Sequence, residues 1–171
     1  MKIPIRQLAL CALFAALTAV LSQVALPIGP VPINLATLGV LLAGALLGAR
    51  LGALSQLVYV LMGAFGMPVF AFFRGGFDVI SGPTGGFIVG YIAAAWLVGL
   101  VAQRQPEKRI LLAVLIAGAS SYFLLGSLWF MYSLDATFAH TLAVCVLPFI
   151  PGDAAKIAAV MVIEKRVGFR G

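Results

Sequence analysis

Two ionisable residues stand where their surroundings are otherwise apolar. The stretch Pro151-Gly152-Asp153-Ala154-Ala155-Lys156 places a carboxylate and an ammonium between the apolar runs 141–150 and 157–163. Charged groups in the middle of a membrane span cost about 2.5–3.5 kcal/mol each on insertion scales, so they face a bundle interior or a cavity. Asp153 and Lys156 are three residues apart, which puts them on one helix face, within pairing distance. Pro151 suits the first turn of a helix, where its missing N–H is no loss, and Gly152 lets the backbone approach a neighbour closely. A helix that breaks at Pro151 and restarts would aim free backbone donors and the charge pair at one spot. Two readings follow: a buried polar site for a small ligand, or a helix kink with a self-neutralised pair.

The remaining chain says what must position that pair. Of 171 residues, 63% are hydrophobic and 9% charged, against about 25% charged in a soluble domain; the mean hydropathy is +1.16. This is the composition of an all-α integral membrane protein, and the length suits one domain over 1–171. The net charge of +6 does not point to nucleic acid. Lys2, Arg6, Arg50, Arg104, Lys108, Arg109, Lys165, Arg166 and Arg170 fall at the ends of apolar runs, the distribution that sets topology by the positive-inside rule.

Six transmembrane helices are expected, at about 8–26, 34–49, 51–66, 84–102, 110–133 and 138–163, with both termini cytoplasmic. The first has a basic start like a signal peptide, but its apolar run is long and lacks a persuasive cleavage site, so it reads as a retained helix. Ala12/Ala16 and Ala15/Ala19 on it are small residues at four-residue spacing, suited to close helix packing inside the chain or against a partner. Three prolines between Leu26 and Asn34 exclude continuous helix there. Gly44, Gly48 and Gly52 form a small-residue stripe, with a tight inward turn at Arg50. The stretch 66–86 reads as the longest non-helical segment. It holds four phenylalanines, six glycines, two prolines, Arg74 and Asp78. The phenylalanines fit an interfacial belt, and the glycines fit a lid over a cavity. Trp129 and Tyr132 read as interface anchors, and Asp135 and His140 as residues of a short outer loop. Cys11 and Cys145 are expected in opposite leaflets, too far apart to bridge.

Several chemistries are missing. There is no G-x-x-x-x-G-K-[ST] for a nucleotide, and no H-E-x-x-H, C-x-x-C or nucleophile elbow. One His and five carboxylates give a membrane enzyme little to work with, so neither a catalytic residue nor a metal site is expected. Asp153 alone could serve a proton-coupled carrier.

With loops and motif in view, the chain resembles the BioY family, the biotin-specific S components of energy-coupling-factor (ECF) transporters. The resemblance rests on 30–44 (PVPINLATLGVLLAG), 66–70 (GMPVF), 82–91 (GPTGGFIVGY) and 151–156 (PGDAAK), four pieces in order along most of the chain. It implies an S-component-like bundle of six helices that captures biotin from outside and has no nucleotide site of its own. It also implies a transmembrane coupling protein and two ATPase subunits as partners, with the coupling protein docked at Ala12, Ala15, Ala16 and Ala19. Biotin, as substrate and not cofactor, would meet Asp153 and Lys156, with Asn34, Thr37, Arg74, Gly75, Gly76, Thr84 and Tyr91 around it. Biotin carries a carboxylate, a ureido group and an apolar ring and chain. A carboxylate and an ammonium can each hold part of it, and which end each holds stays open. Two departures from the family pattern stand out: Ala36 where a glutamine is common, and Phe72-Phe73 where the loop is usually small and glycine-rich.

Three functional classes are therefore in play: the binding subunit of an ATP-driven vitamin importer, a solitary and self-associating secondary carrier, and a structural membrane protein whose charge pair only fixes packing. The glycine-rich outer loops favour the first two. The first is the reading adopted, in the cytoplasmic membrane and in contact with lipid.

Overall fold

The computed structural model describes residues 4–168; Lys2 and Arg170 lie outside the described residues. The element order is α1 (Ile5–Gln23), β1 (Ala25–Leu26), β2 (Ile33–Asn34), α2 (Ala36–Ala64), α3 (Phe77–Ser81), α4 (Gly85–Ala102), α5 (Lys108–Leu134), α6 (Phe138–Cys145) and α7 (Ile150–Val167), with a 3₁₀ turn at Ala71–Phe73. Helices α1, α2, α4 and α5 are each long and apolar enough to cross a membrane, and the bent pair α6–α7 makes a fifth candidate.

The sixth pass comes from a reversal inside α2. Gly48 has φ 81° and ψ −177°, a region essentially confined to glycine. A Cβ placed on Gly52 would lie 2.9 Å from the carbonyl oxygen of Ala43. Nine residues of straight helix would separate those positions by about 13.5 Å, so the chain must double back. The tight turn expected at Arg50 therefore lies two residues earlier. The expected stripe through Gly44, Gly48 and Gly52 does not exist as one helix face, because Gly48 is the turn. Gly44 instead admits α4, whose Ala95 carbonyl would meet an added Cβ at 2.6 Å.

The first arm, 36–47, is buried almost all round, as expected of a central helix wrapped by others. Helix α1 packs across both arms and the chain beyond them through Cys11, Ala15, Thr18 and Ser22, whose 4-3-4 spacing is one helical stripe. Leu13, Val20 and Val24 point outward and are exposed, as a lipid-facing side requires. Arg6, Arg50, Arg104, Lys108 and Arg109 are all exposed. They gather at the Gly48 end, because Cys11 Sγ donates to the Leu51 carbonyl at 3.4 Å and Gly99 abuts Gly48 and Ala49. By the positive-inside rule this is the cytoplasmic end.

The two arms of α2 span only about 18 and 24 Å at 1.5 Å per residue, short of a bilayer core of about 30 Å. The opposite end is completed by irregular chain. β1 and β2 pair antiparallel, Ala25 with Asn34 and Leu26 with Ile33, and hold the proline loop between them. The segment 66–84 is less irregular than expected, since it contains the 3₁₀ turn and the five-residue helix α3. Non-helical backbone at this depth is tolerable where it lines a cavity, and both segments do.

Helix 6 of the sequence reading is two helices. The chain breaks at 146–149 and bends by 50°, so the interruption precedes Pro151, which lies in the first turn of α7. His140 lies on α6 rather than in a loop, and Asp135 caps α5 in the left-handed region. Both cysteines are free and buried.

Gly48→Ala is expected to lower stability by about 1–3 kcal/mol through backbone strain. Gly99→Ala should cost at least as much, since its methyl would fall 2.2 Å from the Ala49 nitrogen. Thermal unfolding in detergent checks both, and an unchanged transition for Gly48→Ala would refute a reversal at that residue.

Candidate ligand-binding site

The interior charge pair is built from four elements. Asp153 occupies the first turn of α7, where the helix dipole favours a carboxylate, and its N–H donates to the Phe149 carbonyl at 2.9 Å. One turn on, Lys156 donates from Nζ to Asp153 Oδ1 at 2.7 Å, to Thr37 Oγ1 at 2.8 Å and to the backbone carbonyl of Asn34 at 2.7 Å. An ammonium has three donors and no acceptor, so Lys156 is saturated. The other carboxylate oxygen, Asp153 Oδ2, accepts from the Tyr122 hydroxyl of α5. Asp153 is 4% exposed and Lys156 6%. Both charges are thus desolvated and fully paired, the condition under which a buried ion pair is tolerable.

Beside this cluster lies a cavity of about 160 Å³. Its roof is made of Pro27, Pro30, Val31 and Pro32 from the β1–β2 loop and of Phe70, Ala71, Phe72 and Arg74 from the 3₁₀ segment. Its walls include Tyr59, Val79, Thr84, Phe87, Ile88 and Tyr91. A second space of about 20 Å³ lies deeper, lined among others by Asn34, Thr37, Tyr91, Tyr122 and Lys156. Asn34 and Tyr91 border both. The total is below the roughly 300 Å³ at which small-molecule pockets commonly begin, so a ligand must be compact or the roof must yield. Apolar and aromatic walls with a few converging polar groups suit a largely apolar small molecule with polar ends.

The expected site residues are placed unequally. Asn34, Thr37, Tyr91 and Lys156 converge on the inner space, and Thr84 and Arg74 line the outer one. Asp153 lines neither; it stands behind Lys156 and Tyr122. Arg74 donates to Asp78 Oδ2 at 3.4 Å, with both side chains largely exposed, a pairing worth little in itself. Gly75 and Gly76 line neither cavity. A Cβ on Gly75 would strike the Met67 carbonyl at 2.1 Å, and Gly76, at φ 113°, precedes α3 and donates to the Gly63 carbonyl at 2.7 Å. They shape the roof. The alanines of α1 divide: Ala15 is buried and Ala19 half-buried, whereas Ala12 and Ala16 are exposed. Only the latter two offer an outer small-residue face; Ala15 is spent on packing within the chain.

Other residues enter that sequence reasoning did not assign to the site. Tyr122 was legible only as a polar residue of its helix, and nothing in linear spacing pairs α5 with α7. Tyr59 and Tyr122 join the expected Tyr91 in an aromatic row, with ring centroids 6.5 and 6.0 Å apart, which Phe70 extends to the roof at 5.6 Å from Tyr59.

The roof carries backbone strain. Phe72 has φ 60° and Phe73 φ 55°, the left-handed region that costs a side-chain-bearing residue about 1–2 kcal/mol. The turn is pinned by Phe70 N–H to the Arg74 carbonyl at 2.9 Å and by Phe73 N–H to Gln23 Oε1 at 2.9 Å. Ser22 adds a hydrogen bond to the Val69 carbonyl.

Comparison with known proteins agrees with this architecture. The family described as "BioY family" matches residues 1–169. "Probable biotin transporter BioY" of Pyrococcus horikoshii is 40% identical over 162 residues, covering 95% of this chain and 96% of the relative. "Biotin transporter BioY" of Thermotoga maritima is 35% identical over 162 residues, covering 95% of each. Among solved structures, an S-component for biotin from an ECF-type ABC transporter superposes with a TM-score of 0.90 at 27% identity, covering 98% of this chain and 93% of that one. The six-pass helical bundle is the S-component fold, and the chain belongs to the BioY family.

Proposed function

We propose that residues 1–171 form one transmembrane domain that captures biotin at the outer face of the cytoplasmic membrane and delivers it inward. The observation that carries this reading is the saturated Lys156 ammonium, held by Asp153, Thr37 and the Asn34 carbonyl next to an aromatic cavity. A ligand bearing an anion or a strong acceptor can replace one of those partners without leaving a charge unpaired. Biotin offers both, joined to an apolar ring and chain. Family membership and the names of the relatives supply the ligand; the site supplies a chemistry that fits it.

The chain acts as a binding subunit, not an enzyme. Energy comes from an ECF module, a transmembrane coupling protein with two ATPase subunits, for which Ala12 and Ala16 present the small-residue face of α1. A solitary, self-associating carrier is the competing reading, and uptake in cells lacking any ECF module separates the two.

Purified protein should bind biotin saturably, and Asp153→Asn or Lys156→Met should abolish binding. Each single change also leaves a buried partner uncompensated, at about 3–5 kcal/mol of stability. The double variant Asp153→Asn/Lys156→Met removes both charges and should recover much of that stability while remaining unable to bind. Calorimetric titration beside thermal unfolding reads both effects, and biotin binding by the double variant would sink the site assignment.

Tyr122→Phe removes only the hydroxyl that holds Asp153. It should cost about 1–3 kcal/mol through the carboxylate oxygen left without its donor and weaken biotin at least severalfold. Unchanged affinity in the same titration would reduce Tyr122 to a packing residue.

A further inference from the structure

We infer that Phe72 is a retention and selectivity residue: its ring closes the outer mouth of the cavity over the apolar body of the ligand. The inference rests on the proposed biotin site and deepens it.

Two consecutive phenylalanines hold left-handed backbone at the roof, Phe72 at φ 60° and ψ 36° and Phe73 at φ 55°. Glycine would occupy either position without strain. Burial does not compensate the strain, because Phe72 is 46% exposed and Phe73 72% exposed. An interfacial belt accounts for exposed rings but not for left-handed backbone beneath them, and strain kept at a cavity rim is the kind of observation from which a functional role is inferred. The two rings differ in one respect. Phe72 lines the cavity, beside Phe70, Ala71 and Arg74, and Phe73 does not. The turn that presents Phe72 is fastened on both sides, by Phe70 to Arg74 and by Phe73 to Gln23, which fixes the backbone from which the ring projects. An exposed aromatic edge there loses its contact with water when an apolar ring system sits beneath it, and an aromatic contact of that kind slows departure more than it speeds arrival.

The test compares biotin dissociation from purified wild type, Phe72→Gly, Phe72→Leu and Phe73→Gly, each with a melting curve. Phe73→Gly should melt no lower than wild type, since relief of left-handed strain offsets the extra freedom of its unfolded chain, and each melting curve shows that the variant is folded. Phe72→Gly should release biotin about tenfold faster, with Phe72→Leu in between and Phe73→Gly unchanged. Desthiobiotin, which lacks the sulfur-containing ring, should show a smaller acceleration, because the ring that Phe72 covers is absent. Dissociation from Phe72→Gly at the wild-type rate would overturn the inference, as would equal acceleration by Phe73→Gly, which would assign the effect to turn rigidity. If wild type itself fails to bind biotin, the failure belongs to the ligand assignment. The same comparison with whichever vitamin the protein does bind then decides the role of Phe72, by the same two outcomes.

Discussion

Everything at the outer end of this bundle depends on one requirement: a lysine ammonium inside a membrane protein must have every proton accepted. Lys156 meets it with one carboxylate, one hydroxyl and one backbone carbonyl, drawn from α7, the first turn of α2 and β2. The Asn34 carbonyl is available because β2 pairs with β1, and the first turn of α2 is reached because the chain turns from strand into helix at Leu35. Removing any one of these elements would leave a desolvated charge, so the loop, the central helix and the broken last span are held to one geometry. The tyrosine of α5 performs the matching service for the carboxylate.

Thr37 reaches Lys156 before the reversal of α2; what the reversal decides is where the second arm ends. A continuous helix of 29 residues would carry the Tyr59 end to the cytoplasmic side. Reversal at Gly48 returns it to the outer end, where Tyr59 lies between Phe70, edge-on to it, and Tyr91. A turn at the cytoplasmic surface thus determines which aromatic residues line a cavity at the opposite one. The shortness of the two arms leaves room for the proline and glycine loops that form the roof.

Much of this was legible in the residues. Asp153 and Lys156 announce themselves because charge is rare in this chain, and helical geometry at a separation of three obliges them to meet. The basic residues marked one end of the bundle, and the prolines of 27–32 marked a loop. What could not be read was lateral. That Tyr122 faces α7, that Ala15 turns inward while Ala16 turns out, and that Gly48 rather than Arg50 makes the turn all depend on how neighbouring helices rotate about their axes. A single sequence encodes that rotation only through packing. The short helix α3 was hidden for a different reason: five residues among glycines carry too little periodicity to register. The break at 146–149 was visible as a proline signal but displaced, since Pro148 and Pro151 both interrupt the same run.

The last turn of α1 gives the molecule a property that its lipid-facing surface would not suggest. Ser22 and Gln23 are stitched to Val69 and Phe73 of the roof, while Ala12 and Ala16 on the same rod remain open to whatever lies alongside. A helix is stiff along its axis, so those open alanines and the hydrogen bonds to the roof belong to one rod. The open alanines and the roof are thereby carried on one stiff segment of α1, only roughly 9–16 Å apart along its axis at 1.5 Å per residue.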